Sequence, residues 1–307
     1  YLTTQFTMAG PLNIAKGYFE ESIRKDPGFA LAYWGLGDSY IFLAFSGELS
    51  PEGTYRPAKE ALRKAVELDE DAGEIHDALG LLRWQYEWDL GAAEREFNQA
   101  IALAPSDSCA HEDRSIFLSF AGRRAEALAE VAKSNELDLG PSSAIAESEA
   151  YYQLRDYQGL LEASRKAVVS YPNEWVEHNY LGIGYEGIGK LLEAVSEYLK
   201  AVELSDGNLD AAAALAHAFA VIGRRAEAEK ILRDVKLKSK SVYVSPYIIA
   251  TIYAGLGEKD QAFEFLEKAY RERSLDLASH LKADLRFDSL RSDPRFQALV
   301  RRVGFPQ

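Results

Sequence analysis

Small and apolar positions recur along this chain at a fixed distance. Ala65, Ala100, Ser134, Ala167, Ala201, Val235 and Ala269 form a ladder that advances by 35, 34, 33, 34, 34 and 34 residues. Gly122, Gly189, Gly223 and Gly257 stand 67, 34 and 34 residues apart, and Ala127, Ala194, Ala228 and Ala262 each follow five positions later. The hexapeptide GRRAEA occurs twice, at 122–127 and 223–228. A sustained period of this length marks a stack of similar units, each leaving an apolar face that its neighbour covers. The recurring glycine predicts the end of a helix, because glycine takes the left-handed cap conformation at little cost.

The stretch VEHNYLGIGYEGIGKLLEAVSEYLKAVELS gives the units a closer identity. Its Leu181, Gly182, Tyr185, Gly189, Ala194, Tyr198 and Ala201 resemble the consensus of the tetratricopeptide repeat family, and Tyr33, Leu36, Gly37 and Tyr40 repeat the first half of that pattern. Pro27, Pro105 and Pro172 close some units. The resemblance implies an all-α, right-handed superhelical solenoid of about seven helix-turn-helix units, with a partial first unit and a C-terminal helical cap. A small residue in each first helix, such as Gly37, Gly80 or Gly182, lets the second helix approach closely. Large residues one turn on, such as Tyr40, Tyr185 and Phe219, fill the space beside it.

The expected array covers 1–274, with a partial unit at about 1–29 and full units at 30–72, 73–107, 108–140, 141–174, 175–208, 209–242 and 243–274; capping helices follow at 275–307. GELSPEGTYRP, inside the unit 30–72, reads as an inserted surface loop because of its Gly47, Pro51, Gly53 and Pro57. In the tail, Asp293 and Pro294 mark the start of a last short helix. RFDSLRSDPRFQALVRRVGFP and EWDLGAAEREFNQAIALAPS resemble bacterial chains in which such repeats follow a winged-helix DNA-binding domain or a Ser/Thr kinase domain. That resemblance implies a regulatory or sensory region of a larger protein. The chain starts at Tyr1 in what reads as the middle of a unit, so it is taken as a piece of something longer.

Composition narrows the function classes. Of 307 residues, 48 are acidic and 35 basic, a net charge of -13 that repels phosphate backbones and argues against nucleic-acid binding by this piece. The lone Cys109 excludes an internal disulfide and a multi-cysteine zinc site. No stretch has the length of a membrane span, and the compartment, cytoplasmic or periplasmic, stays open. His76, His111 and His178 occupy one repeat slot, where Tyr33 sits in the preceding unit, and read as packing residues. His217 and His280 lack a neighbouring carboxylate or cysteine at ligand spacing in the sequence. Cys109 and His111 lie two residues apart, so on a helix they point in different directions. The sequence therefore implies no enzyme, no cofactor and no metal.

By family resemblance, positions 2, 5, 9, 12 and 13 of each unit face a concave groove. Trp34, Asp38, Phe42, Asp77, Leu81, Trp84, Glu112, Ile116, Phe120, Glu149, Asn179, Ile183 and Glu186 are the groove residues on that reading. They form an acidic, aromatic surface suited to a protein or peptide segment bearing Arg or Lys. With Asn179 but no basic residue, the set does not fit a clamp for a peptide's C-terminal carboxylate. The alternative is that some of these side chains pack between adjacent first helices and that the acidity serves solubility. From Arg271 onward eight basic residues face five acidic ones, so the tail could meet the acidic groove within one chain or mediate self-association.

LGIGYEGIGK, at 181–190, contains the glycine spacing of a dinucleotide-binding turn. No strand precedes it, and Leu191 stands where a phosphate loop needs Ser or Thr. The nucleotide reading is set aside. Gly184 and Gly187 fill no expected packing slot, and Gly187 is expected to face the groove as a thin spot.

Overall fold

Glycines at the ends of first helices set the geometry of four of the units. Gly122, Gly189, Gly223 and Gly257 all have φ between 76° and 84°, the left-handed region that only glycine enters without strain. The computed structural model describes residues 9–305. The part of the expected first unit at 1–8 lies outside the described residues.

Helix α1 (Ala9–Lys25) is followed by α2 (Ala30–Phe45), α3 (Pro51–Leu68), α4 (Gly73–Leu81), α5 (Leu90–Leu103), α6 (Ser108–Phe120), α7 (Arg124–Leu137), α8 (Pro141–Gln153) and α9 (Tyr157–Ser170). The series continues through α10 (Trp175–Gly187), α11 (Leu191–Leu204), α12 (Leu209–Val221), α13 (Arg225–Lys238), α14 (Pro246–Gly255) and α15 (Lys259–Arg271). Each even-numbered helix from α2 to α14 packs on the helix that follows it, and each from α2 to α12 also packs on the next even-numbered one. Each odd-numbered helix from α3 to α13 also touches the first helix of the next pair. This is an all-α solenoid whose first helices line one side and whose second helices line the other.

Close approach within a pair depends on the small residues. A Cβ on Gly37 would lie 2.7 Å from Leu62 Cγ, and one on Gly182 would lie 2.5 Å from a Tyr198 ring carbon. Gly184 and Gly187 correct the sequence reading, because both are packing positions. A Cβ on Gly184 would meet Leu161 Cγ at 2.9 Å, and one on Gly187 would meet Tyr157 Cγ at 2.3 Å. Both partners lie on α9 of the preceding pair, so Tyr157 fills the expected thin spot.

The 35-residue step in the ladder has a local cause. Between Ala65 and Ala100, α4 runs on into a π-helical turn, Leu82–Glu87, which absorbs an added residue in the helix. The insertion before it is mostly helical, which corrects the expected loop. Ser50 caps α3 by accepting from Gly53 N at 3.2 Å, and Pro51 occupies the first turn, where its missing N–H costs nothing. Pro57 forfeits one bond in the second turn, but the helix is held from outside. Thr54 Oγ1 lies 2.9 Å from Tyr86 Oη, Tyr55 donates to Glu87 at 2.8 Å, and the Tyr55 and Tyr86 rings stack.

Two left-handed turns in the same series lack glycine: Trp88 (φ 60°) and Arg155 (φ 54°). Such a residue costs about 1–2 kcal/mol relative to glycine, and both side chains are held by the end of the chain. The Arg273 guanidinium sits 4.2 Å above the Trp88 ring, and Tyr270 packs on the same ring at 5.3 Å. Arg155 binds Asp288 with two hydrogen bonds of 2.9 and 2.6 Å and also donates to Ala283 O.

The C-terminal segment makes these contacts by turning back across the array. It contains α16 (Leu275–His280), a 3-10 turn (Leu285–Leu290) and α17 (Pro294–Val303), whose Asp293 cap accepts from Arg295 N. Helix α17 packs on α15 as an end cap, the 3-10 turn on α14, and α16 on α2 and the π-helical turn. Phe305 packs on Phe120, His280 on Tyr152, and the fully buried Phe287 on Tyr247. The tail is thus more than an end cap, since it fills the concave side of later units. Most of its positive charge is used within the chain: Arg286 pairs with Asp284, Arg291 with Asp288, Arg295 with Asp260 and Asp293, and Arg302 with Glu267.

Two glycine-to-alanine changes test this account with opposite signs. Gly189→Ala forces a Cβ into the left-handed region and lowers stability by about 1 kcal/mol or more. Gly17→Ala, inside α1 with no neighbour within 4 Å of the added methyl, raises it by about 0.5–1 kcal/mol. Urea denaturation midpoints of the two variants should shift in opposite directions.

Candidate functional site

The first helices of five successive pairs converge on a concave cavity of about 400 Å³. Helix α2 contributes Trp34, Asp38 and Phe42; α4 contributes Glu74 and Asp77; α6, with its cap Asp107, contributes Cys109, Glu112, Asp113 and Ile116. Pro141, Ser142, Ile145 and Ala146 of α8 and Glu174 and Val176 at the start of α10 complete the wall. Trp34, Asp77, Glu112 and Ile145 hold the fifth position of their units, and Asp38 and Ile116 the ninth. One helical turn separates these positions, so they share a face.

Seven carboxyl groups surround the cavity, and among the described residues no lysine, arginine or histidine lines it. Asp77 is only 8% exposed, and its Oδ1 has no hydrogen-bond partner among the described residues. Burial, followed by the charges of Asp113 and Asp107, holds its carboxyl well above the usual range. Asp113 is raised to about 8, first by burial and then by Glu112 and Asp38, and burial raises Asp38 to about 7. Burial also raises Glu112, although Ser142, Ser143 and Ser134 all donate to it, at 2.5, 2.6 and 3.3 Å. Cys109 is likewise pushed up, by burial and by Glu112. A neutral thiol of this kind is not an activated nucleophile.

The expected groove residues divide into two groups. Trp34, Asp38, Phe42, Asp77, Glu112 and Ile116 line the open cavity. Leu81, Trp84, Phe120, Glu149, Ile183 and Glu186 are buried, and Asn179 is half-buried. Trp84 packs edge-on to Phe117 and against Phe120, which in turn meets Phe305. Glu149 accepts from Gln153 at 2.6 Å and from Tyr180, and His280 Nε2 lies 3.2 Å away. Tyr198 donates to Glu186 at 2.8 Å, and His217 Nδ1 lies 2.8 Å from it. For this second group the packing alternative holds. His217 and His280, which have no carboxylate at ligand spacing in the sequence, meet carboxylates 31 and 131 residues away.

The other three histidines share one structural arrangement. His76, His111 and His178 place Nδ1 against Glu96, Glu130 and Glu197 of the paired second helix, and Nε2 against the carbonyls of Glu70, Pro105 and Pro172. Each ties a first helix to its partner and to the preceding turn. Sequence reasoning missed Asp107, Asp113 and Glu174 on the cavity wall. Asp113 holds a sixth position that the family pattern does not point inward, whereas Asp107 and Glu174 were visible as acidic residues just before first helices.

A tetratricopeptide repeat family model matches residues 247–274, which cover α14 and α15. Together with seven pairs stacked in one register, that match decides the fold. The fold is that of a tetratricopeptide repeat solenoid. Its solenoid resembles human IFIT1, solved as a dimer with m7Gppp-AAAA, at TM-score 0.63 and 16% identity over 95% of this chain and 69% of that one. It also resembles yeast Tom70, at TM-score 0.56 and 17% identity over 95% and 62% of the two chains. A tetratricopeptide repeat protein from Parabacteroides merdae aligns at TM-score 0.57 and 15% identity over 82% and 93%. No curated protein matches. Among the described residues, no helix of this array is long and apolar enough to cross a membrane.

The raised carboxyls carry a linkage. A carboxyl that holds its proton to higher pH in the folded array than in the unfolded chain makes stability fall as pH rises through that interval. His280 adds to the same trend. Burial opposes its charged form, but Glu149 beside it raises its pKa, and that contribution too is lost on going alkaline. Thermal midpoints should fall between pH 5.5 and 8.5. An Asp77→Asn/Asp113→Asn variant should melt above the native chain at pH 8.5 and show a shallower decline.

Proposed function

We propose that this tetratricopeptide repeat array is a protein-interaction module whose concave face binds a segment bearing Arg or Lys at its N-terminal end. A repeat solenoid of this kind is a scaffold for protein contacts in general. One observation carries the finer reading: among the described residues, seven carboxyl groups face a cavity that no lysine, arginine or histidine lines, beside the half-buried rings of Trp34 and Phe42. A guanidinium or ammonium would gain charge-assisted hydrogen bonds there, and the two aromatic rings would favour its cationic stem. The fold of human IFIT1 is similar and was solved with m7Gppp-AAAA, but the charge of this cavity repels phosphate. The chain's own tail packs along the concave side as far as α2 and the π-helical turn, but none of its described residues lines this cavity, so the cavity is where a partner segment has room.

Fluorescence anisotropy with a labelled Arg/Ala peptide and its Glu/Ala counterpart tests this reading. The arginine peptide should bind saturably and the glutamate peptide should not. Charge reversal in Asp38→Lys/Glu74→Lys, or raising NaCl from about 50 to 500 mM, should weaken binding by about tenfold or more. Equal binding of the two peptides, or native affinity in the charge-reversed variant, would contradict it.

A further inference from the structure

The cavity has the size, charge and wall chemistry of a small-molecule site as well as of a groove. We propose that it binds a free aliphatic polyamine, with the amines spread along its carboxylates and the methylene stem lying on its apolar wall. This goes beyond recognition of a protein segment and does not require one.

Three features of the wall point to that ligand class. At about 400 Å³ the cavity falls within the range that encloses small organic ligands. Its carboxyl groups are distributed over α2, α4, α6 and α10 rather than gathered, and among the described residues no group of three or more acidic, histidine or cysteine side chains has the geometry to hold a metal ion. Compact divalent cations therefore have no seat here, whereas a chain of separated ammonium groups matches separated carboxylates. Between the acids lie Trp34, Phe42, Ile116, Ile145 and Val176, an apolar wall of the kind methylenes prefer over water. The buried Asp77 Oδ1 has no hydrogen-bond partner among the described residues, which is the arrangement an incoming N–H donor completes.

The facing charges make binding dependent on pH. Asp77 is met by Asp38 from α2 and by Asp107 and Asp113 from α6, all acidic, with Glu74 on its own helix and Glu112 and Cys109 nearby. Burial and the charge of Asp113 keep a proton on Asp77 to higher pH than on a free carboxyl. An ammonium that settles between them displaces that proton, so affinity rises as pH rises through the interval in which these carboxyls titrate.

Isothermal titration calorimetry of the whole chain with spermidine at pH 6 and pH 8.5 tests the site, with butylamine, magnesium chloride and an acetylated, amidated arginine as parallel arms. Spermidine should bind one to one, about tenfold or more tighter at pH 8.5 than at pH 6. Butylamine and the arginine derivative should bind more weakly than spermidine, and magnesium should not compete at equal ionic strength. Asp77→Asn, a neutral isostere whose melting curve reports its folding, and Trp34→Ala, at the open wall, should each weaken spermidine binding by about fivefold or more. Absence of a saturable isotherm at pH 8.5, unchanged affinity in both variants, or equal competition by magnesium would overturn the proposal. If the arginine peptide binds while spermidine does not, this inference fails and the peptide reading stands; the converse result removes the peptide reading alone.

Discussion

Each unit of this chain has an apolar face that cannot be buried within the unit, and the whole architecture follows from covering it. Two helices of 13 or 14 residues, as in α10 and α11, close on one another only because Gly182 admits the Tyr198 ring. What they leave open is covered by the next pair, and the stack propagates. At the last pair no further repeat continues the pattern. The segment 275–305 supplies the missing surface, first as α17 on α15 and then by folding inward until Phe305 reaches Phe120, while Arg273 just before it reaches Trp88. The concave side is therefore divided between a part packed by the chain's own end and a cavity left open.

Much of the stack was legible in the sequence because it rests on local rules that repeat. Gly189 and Gly223 announce a left-handed turn, and Ala194 and Ala201 a close contact, wherever they occur. The same rule hid two of its own instances. Trp88 and Arg155 sit in that turn without glycine, so the glycine ladder starts only at Gly122 and shows a 67-residue gap around Arg155. They are tolerated because Tyr270, Arg273 and Asp288, over a hundred residues later, hold their side chains, and no local pattern encodes such a contact. The inserted segment was misread for a related reason. Pro51 and Pro57 look like loop punctuation, and only the distant Tyr86 and Glu87 show that a helix is stabilised there.

The candidate site was half legible. Fifth and ninth positions of the first helices do converge, which placed Trp34, Asp38, Asp77, Glu112 and Ile116 on a common wall. The same positions in later units, Glu149 and Ile183, converge equally well but meet the returning tail, so repeat register alone cannot separate open positions from covered ones. Electrostatics marks the difference. Glu149 and Glu186 on the covered side have partners, as Glu149 has Tyr180, Gln153 and His280, and their two carboxyls sit below the usual range in spite of burial. Acids of the open cavity face one another and sit above it. That contrast is the physical basis for placing a cationic ligand at one end of the array and an intramolecular seal along the rest.

Hydrogen–deuterium exchange of the whole chain, without ligand and with a saturating arginine-rich peptide, tests this division most directly. The account predicts that amides of 285–303 are protected as strongly as those of α14 before any ligand is added. It also predicts that the peptide slows exchange in α2, α4 and α6 while leaving 285–303 unchanged. Rapid exchange of 285–303 in the free chain, or ligand protection confined to the outer helices α3, α5 and α7, would contradict it.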